Sequence, residues 1–202
     1  MFRLPNFLLS ALVLLTAACS TVQIGPTPTY TPVAAALDAE HPDRSWWQFR
    51  FRLRWPDDEQ PDFSRHLLIA DQIVAPELIQ YADELELWRF HRRAGRDQTG
   101  HQFSLIFYSD DRTAESLAAA INTNPLTGWL LQQDMIEATR FGRRTREALA
   151  GLEDTSDRAW PKEIQRSWPY FIMGVSQSWL LMVQELSEER ALSGTVGYDK
   201  LL

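Results

Sequence analysis

The chain has 202 residues, a formal net charge of −7 and 45% hydrophobic residues, among them 8 tryptophans. This apolar content is enough for a substantial core and excludes a disordered chain, and the acidic balance argues against general nucleic-acid binding. The single cysteine excludes an intramolecular disulfide and a metal site built from several thiolates.

Residues 1–18 predict an export signal peptide. Arg3 and the amino terminus supply positive charge, Phe7 to Leu15 form an apolar segment, and the next three residues are small. The apolar segment is too short to span a bilayer as a helix, which takes roughly 20 residues. Cys19 follows directly.

This arrangement resembles the signal peptide of bacterial lipoproteins, and the resemblance covers residues 1–22 only. It implies that the leader is removed and that Cys19 carries the lipid, palmitate among its acyl groups, that anchors the protein. Ser20, where an aspartate would retain a lipoprotein in the inner membrane, implies an outer-membrane protein that faces the periplasm. An ordinary secretory leader is the alternative for the same residues.

Residues 19–44 predict an extended tether that follows the lipid attachment site. The segment is rich in threonine and contains Pro26, Pro28, Pro32 and Pro42. Closely spaced prolines disfavour a helix and remove backbone donors. We therefore expect a single folded domain over residues 45–192, held away from the membrane.

The folded part begins with a predicted strand over 47–55. Trp47, Phe49, Phe51, Leu53 and Trp55 alternate with polar and basic residues, which is the pattern of a strand with one buried face. Residues 56–62 form an acidic loop with two prolines, and the apolar spacing over 66–82 predicts a helix that Pro76 interrupts.

Residues 85–93 and 101–109 predict a β-hairpin. A four-residue loop over 95–98 would set Phe90 opposite Phe103 and Trp88 opposite Leu105. A shift by one residue would set basic side chains against these apolar ones, so we reject that register.

Helices are predicted over 113–121 and 126–133, and residues 135–141 are a potential fourth strand. A short helix over 145–152 follows, Pro161 and Pro169 each start a helix, and residues 193–202 form a flexible tail. The last helix would pack on the core through a stripe formed by Ile172, Val175, Trp179, Met182, Val183 and Leu186. The element order predicts an α+β fold: an antiparallel sheet of three to four strands with ferredoxin-like order, plus additional carboxy-terminal helices.

One face of the predicted sheet is strongly basic. It would present Arg50, Arg52 and Arg54 from the first strand and Arg89, His91 and Arg93 from the second. Guanidinium groups bind carboxylate and phosphate in bidentate fashion, so the face is a predicted site for an anionic ligand or partner. The alternative is a solvated surface whose arginines pair with nearby acidic residues.

The sequence contains little evidence for a catalytic site. The four histidines lack metal-ligand spacing, and the sequence has neither a nucleophile elbow nor a phosphate-binding glycine loop. The chain is therefore predicted not to be an enzyme and to hold no metal or cofactor. Most tryptophans fall on predicted core faces, but Trp46 and Trp160 border polar or proline-containing segments and are predicted to be exposed interface anchors.

These features together predict a lipid-anchored accessory protein of the cell envelope that binds or assembles with an envelope protein and does not bind nucleic acid. The alternative is a module that binds an anionic lipid or glycan on the arginine-lined sheet.

Overall fold

In the computed structural model, residues 43–144 and 156–192 are described. They contain a four-stranded antiparallel sheet with strand order β2-β3-β1-β4. The strands are β1 (Arg44–Leu53), β2 (Leu87–Ala94), β3 (His101–Asp110) and β4 (Ile136–Arg143).

Helices connect the strands. Between β1 and β2 lie α1 (Ser64–Ile69), a π-helical turn (Ala70–Val74) and α2 (Ala75–Gln80). The π-helical turn ends at Val74, and Pro76 occupies the first turn of α2, which follows without a break. Between β3 and β4 lie α3 (Asp111–Thr123) and α4 (Pro125–Gln132), and α5 (Lys162–Leu192) follows β4.

This is an α+β domain with the ferredoxin-like topology, as the sequence predicted. The order strand–helix–strand–strand–helix–strand brings β1 and β3 to the centre of the sheet, where both are paired on two sides. The side chain of Asp110 accepts a hydrogen bond from the backbone of Thr113 and begins α3 at the end of β3.

The main core lies on one face of the sheet, against the helices. Phe49, Phe51, Phe103 and Phe107 are fully buried there, which confirms that the alternation in β1 marks a buried face. A smaller apolar cluster lies on the opposite face, where Trp46, Leu87, Ile106 and Tyr108 pack against Tyr170 and Met173 of α5.

The hairpin has a longer loop than predicted. Ala94 pairs with His101, so Phe90 lies opposite Leu105 and Trp88 opposite Phe107. The predicted partners were wrong by two positions. A shift of two keeps every side chain on its own face, which is why the predicted burial of these residues still held.

The carboxy-terminal helix is a single element of 31 residues with Pro169 inside it, not two helices. It runs along the free edge of β2, and the backbone N–H of Phe90 donates to Ser176 Oγ at 3.1 Å. Of the predicted stripe, Trp179 and Val183 do pack inward, but Val175, Met182 and Leu186 are exposed. The face that meets β2 is offset from the predicted one because the partner is a strand edge and not the sheet surface.

The predicted signal peptide, tether, helix over 145–152 and tail over 193–202 lie outside the described residues, apart from the last two tether positions. None of the helices within the described ranges is long and apolar enough to cross a membrane.

Candidate functional site

The sheet face opposite the main core carries the basic residues. In antiparallel pairs, directly opposed residues project from the same face. Arg50 of β1 is opposed on one side by Arg140 of β4 and on the other by Ser104 of β3, which is opposed in turn by His91 of β2. We call the row Arg140, Arg50, Ser104 and His91 the central row. It crosses all four strands, and the predicted strands do share one sheet.

At the end of the face nearest the loop between β2 and β3, the arginines form ion pairs with acidic neighbours. Arg52 pairs with Glu137 at 2.7 Å, Arg93 pairs with Asp97, and Arg54, which lies just beyond β1, pairs with Asp134. These pairs are solvent-exposed and contribute little to stability. For Arg52, Arg54 and Arg93 the alternative of a solvated, paired surface therefore holds, with partners supplied by β4, the turn before β4 and the hairpin loop, respectively.

The central row is different. Arg50 donates from Nη2 to Gln48 Oε1 at 2.8 Å, and within residues 43–144 and 156–192 no acidic side chain forms an ion pair with Arg50 or Arg140. Ser104 is fully buried between Arg50 and His91, and its hydroxyl has no hydrogen-bond partner in the described part of the chain. The row thus holds two cations in register beside an unsatisfied hydroxyl.

The pKa of His91 reflects the positive charge around this row. Burial lowers the pKa of His91 below its ordinary value, and repulsion by four surrounding arginines lowers it further. These arginines are Arg89, Arg144, Arg93 and Arg50. The imidazole is therefore neutral at pH 7 and can donate or accept a hydrogen bond within a positive region.

Arg89 of the predicted face is largely buried and has an interaction partner, so it contributes charge without being freely accessible. Arg140 was not predicted as a site residue because its place beside Arg50 depends on how β4 pairs with β1. The alternation of charged residues in β1 could have suggested that a fourth strand would add to the face, but not at which position.

The two predicted tryptophan anchors differ from expectation. Trp46 is only 3% exposed and lies 5.3 Å from Tyr108, ring centroid to centroid, so the prediction of an exposed anchor was wrong. The alternation of β1 extends back to residue 46, which places this side chain beneath the amino-terminal half of α5. Trp160 is partly buried, with its ring 5.0 Å from that of Trp168.

A pair of buried histidines was not anticipated. His66 of α1 and His101 of β3 have ring centroids 4.7 Å apart, and both are almost wholly buried among aromatic rings. No ring nitrogen of either has a hydrogen-bond partner in the described residues. Burial lowers the pKa of both, that of His66 to about 2.

The buried histidine pair has no third ligand for a metal ion. Across residues 43–144 and 156–192 no three metal-ligating side chains come together.

A surface cavity of about 250 Å³ lies beside His101. It is lined by two arginines and the acidic residues with which they form ion pairs, Arg52 with Glu137 and Arg96 with Asp57.

No family model matches the chain, and no curated protein matches it. A solved structure of a dimeric ferredoxin-like protein of unknown function from Thermobifida fusca is similar at 17% identity and a TM-score of 0.29, over 50% of this chain and 91% of that one.

Proposed function

We propose that this protein is a lipid-anchored accessory of the cell envelope that binds an acidic partner and catalyses no reaction. The observation that supports this proposal is the register pair of Arg50 and Arg140, two cations without an acidic partner in the described residues, beside neutral His91.

Arg50 and Arg140 place two positive charges directly opposite each other. Like charges directly opposite each other on neighbouring strands destabilise a sheet. A carboxylate or phosphate bound between the two guanidinium groups would remove this repulsion and form charge-assisted hydrogen bonds. The row has donors for such a group, since arginine is always protonated and His91 can donate one ring N–H.

The signal peptide and tether support the envelope location. Cys19 would carry the anchor, and the residues between it and β1 are long enough, at roughly 3.3 Å per extended residue, to hold the domain tens of ångströms from the bilayer. A partner on the outer-membrane inner surface or in the periplasm would lie within this reach.

A phosphate-bearing lipid or glycan is a second candidate ligand for the same row. A phosphate group has more acceptor oxygens than a carboxylate and would accept from both guanidinium groups and from His91 at once. Gly142, which lies two residues beyond Arg140, leaves open space, since a side chain added there would meet nothing within 4 Å.

In-cell crosslinking of the full-length anchored protein, followed by mass spectrometry, tests both candidates. We expect an acidic envelope protein to crosslink to the wild type and its yield to fall at least tenfold in the double variant Arg50→Glu, Arg140→Glu. Co-purification of an acidic lipid or glycan that the variant loses, with no protein crosslinked, would favour the second candidate.

The matched control carries the same charge change elsewhere. Arg112 and Arg158 are both exposed and lie off the sheet face, so Arg112→Glu with Arg158→Glu should leave the yield unchanged. Equal yields from the wild type and both double variants would contradict the proposal.

A further inference from the structure

Helix α5 has a second apolar face that residues 43–144 and 156–192 leave exposed. The face that meets β2 includes Ser176, Trp179, Leu180 and Val183. On another side of the helix, five large apolar side chains are between 38% and 62% exposed: Ile164, Phe171, Val175, Met182 and Leu186. We call these five residues the outer stripe.

The outer stripe has the spacing of a helix-packing surface. Most of its members recur at intervals of four and seven residues, which keeps them on one side of an α-helix. Between Ile164 and Leu186 the stripe is roughly 33 Å long at 1.5 Å per residue. At its amino-terminal end the ring of Trp168 contacts Trp160 edge to face and Phe171 at a tilt, with centroids 5.0 and 5.5 Å apart.

Its area is the larger part of one side of a dimer interface. A large side chain has an area of about 200 Å², so five at roughly half exposure offer about 500 Å². A stable interface buries about 800 Å² on each partner, and the helix positions that flank the stripe would supply the difference. An exposed apolar face of this size marks an interaction surface.

We infer that the outer stripe is the interface of a homodimer in which two copies of α5 pack antiparallel about a two-fold axis near Val175. This inference rests on the helix alone and does not depend on the function proposed for the arginine face. A second copy is the occupant because reversal sets the two ends and the centre of the stripe against apolar residues of the copy, and because the two ends of the helix carry opposite net charge.

The apolar layers match in this arrangement. A two-fold axis at Val175 sets Ile164 against Leu186 and Trp168 against Met182 of the partner copy, while Val175 meets itself. Gly174 lies next to the axis, and a Cβ added there would meet nothing in its own chain within 4 Å. A glycine inside a helix weakens it, and here its absent side chain would let the partner helix approach closely.

Charge selects the antiparallel orientation. The first turns of α5 carry Lys162, Glu163 and Arg166, with a net positive charge, whereas Glu185 and Glu188 lie near its carboxy-terminal end. A parallel pair would bring each acidic end beside its copy and would align the two helix dipoles. An antiparallel pair sets each acidic end beside the basic, dipole-positive end of the partner.

Single cysteines test the geometry in the full-length chain, whose only natural cysteine is Cys19. Oxidation should crosslink Val175→Cys to itself, whereas Ile164→Cys and Leu186→Cys should crosslink to each other when co-expressed and hardly at all alone. Efficient self-crosslinking of Ile164→Cys would overturn the antiparallel arrangement. Gln177→Cys, on an exposed side of α5 away from the stripe, and the unmodified chain are the controls and should remain uncrosslinked.

Sedimentation of the full-length protein in mild detergent tests the association itself. We expect the wild type to be dimeric, and Val175→Glu with Met182→Glu to raise the dimer dissociation constant by roughly 100-fold, because symmetry sets the new charge at position 175 against its own copy and buries the charge at position 182 against the apolar Trp168. Gln177→Glu should have no effect. A wild type that is monomeric at tens of micromolar, whether the stripe is free, covered by another segment or bound to lipid, would overturn the inference.

Discussion

At the residue scale, the molecule holds two kinds of histidine. His91 lies on the arginine face, where desolvation and then the charges of four neighbouring arginines lower its pKa. Desolvation also lowers the pKa of His66 and His101, but these two are buried among aromatic rings and lie against each other, so each ring would repel the other if both were protonated.

The buried pair makes stability depend on pH. The pKa of His66 is about 2 in the folded protein, against 6.5 ordinarily, so the unfolded chain binds more protons below pH 6.5. The stabilisation is complete above the unfolded pKa and is lost as the pH falls. Between pH 7.5 and 5.5 we expect the free energy of unfolding, measured with urea, to fall by about 1 to 3 kcal/mol.

A variant isolates the contribution of the buried pair. His66→Leu should reduce the pH dependence by about 1 kcal/mol over the same range, whereas His91→Gln should retain more of it. Asp62, Asp97 and Asp110 have lowered pKa values and lose their contribution at more acidic pH. Stability that is equal at both pH values, or greater at pH 5.5, would contradict this assignment.

At the element scale, α5 protects the edge of the sheet. An uncovered edge strand presents unpaired backbone groups to other chains. Ser176 accepts from the backbone of Phe90 and donates to the carbonyl oxygen of Ile172 at 2.8 Å, so one hydroxyl joins strand β2 to the helix. The contact is buried.

Loss of this hydroxyl should be measurable. Ser176→Ala leaves the Phe90 N–H buried without its acceptor, and we expect it to lower the free energy of unfolding by about 1 to 3 kcal/mol. Ser178→Ala is the matched control, because its hydroxyl bonds only to the carbonyl oxygen of Gly174 on an exposed side of the same helix. We expect that change to stay within about 0.5 kcal/mol in urea unfolding. Equal effects of the two would show that the edge contact does not stabilise the fold.

At the scale of the whole molecule, three regions of the domain differ in chemistry. One face of the sheet is covered by helices and forms the apolar core, and the opposite face carries the basic central row. The third region is the apolar outer stripe of α5, which lies beyond the edge strand β2. A lipid anchor would restrict the protein to two dimensions, where both a shared partner and a second copy meet more often.

The anchor has its own test. Cys19→Ser removes the thiol that would be acylated, so palmitate labelling should be lost and the membrane-attached fraction, separated by centrifugation, should fall at least tenfold. Ser20→Ala should leave labelling intact. Labelling of the Cys19→Ser variant, or its unchanged retention in the membrane, would contradict the lipoprotein assignment.

Much of the fold could be predicted from local patterns. The alternation from Trp47 to Leu53 marks a half-buried strand, and Asp110 marks the start of α3, because both signals lie within a few residues of chain. The basic face could be predicted from the same alternation. Which of its arginines form ion pairs could not, because Glu137 and Asp134 lie far along the chain from Arg52 and Arg54, their partners.

The sequence by itself determined which side chains share a face of each strand, the order of the elements and hence the ferredoxin-like topology. Only the tertiary structure decided which rows align across strands, so that Arg50 meets Arg140, and which side of α5 packs on β2. Periodicity is a property of neighbouring residues. Register and helix rotation depend on contacts between distant segments, whose energies no single segment contains.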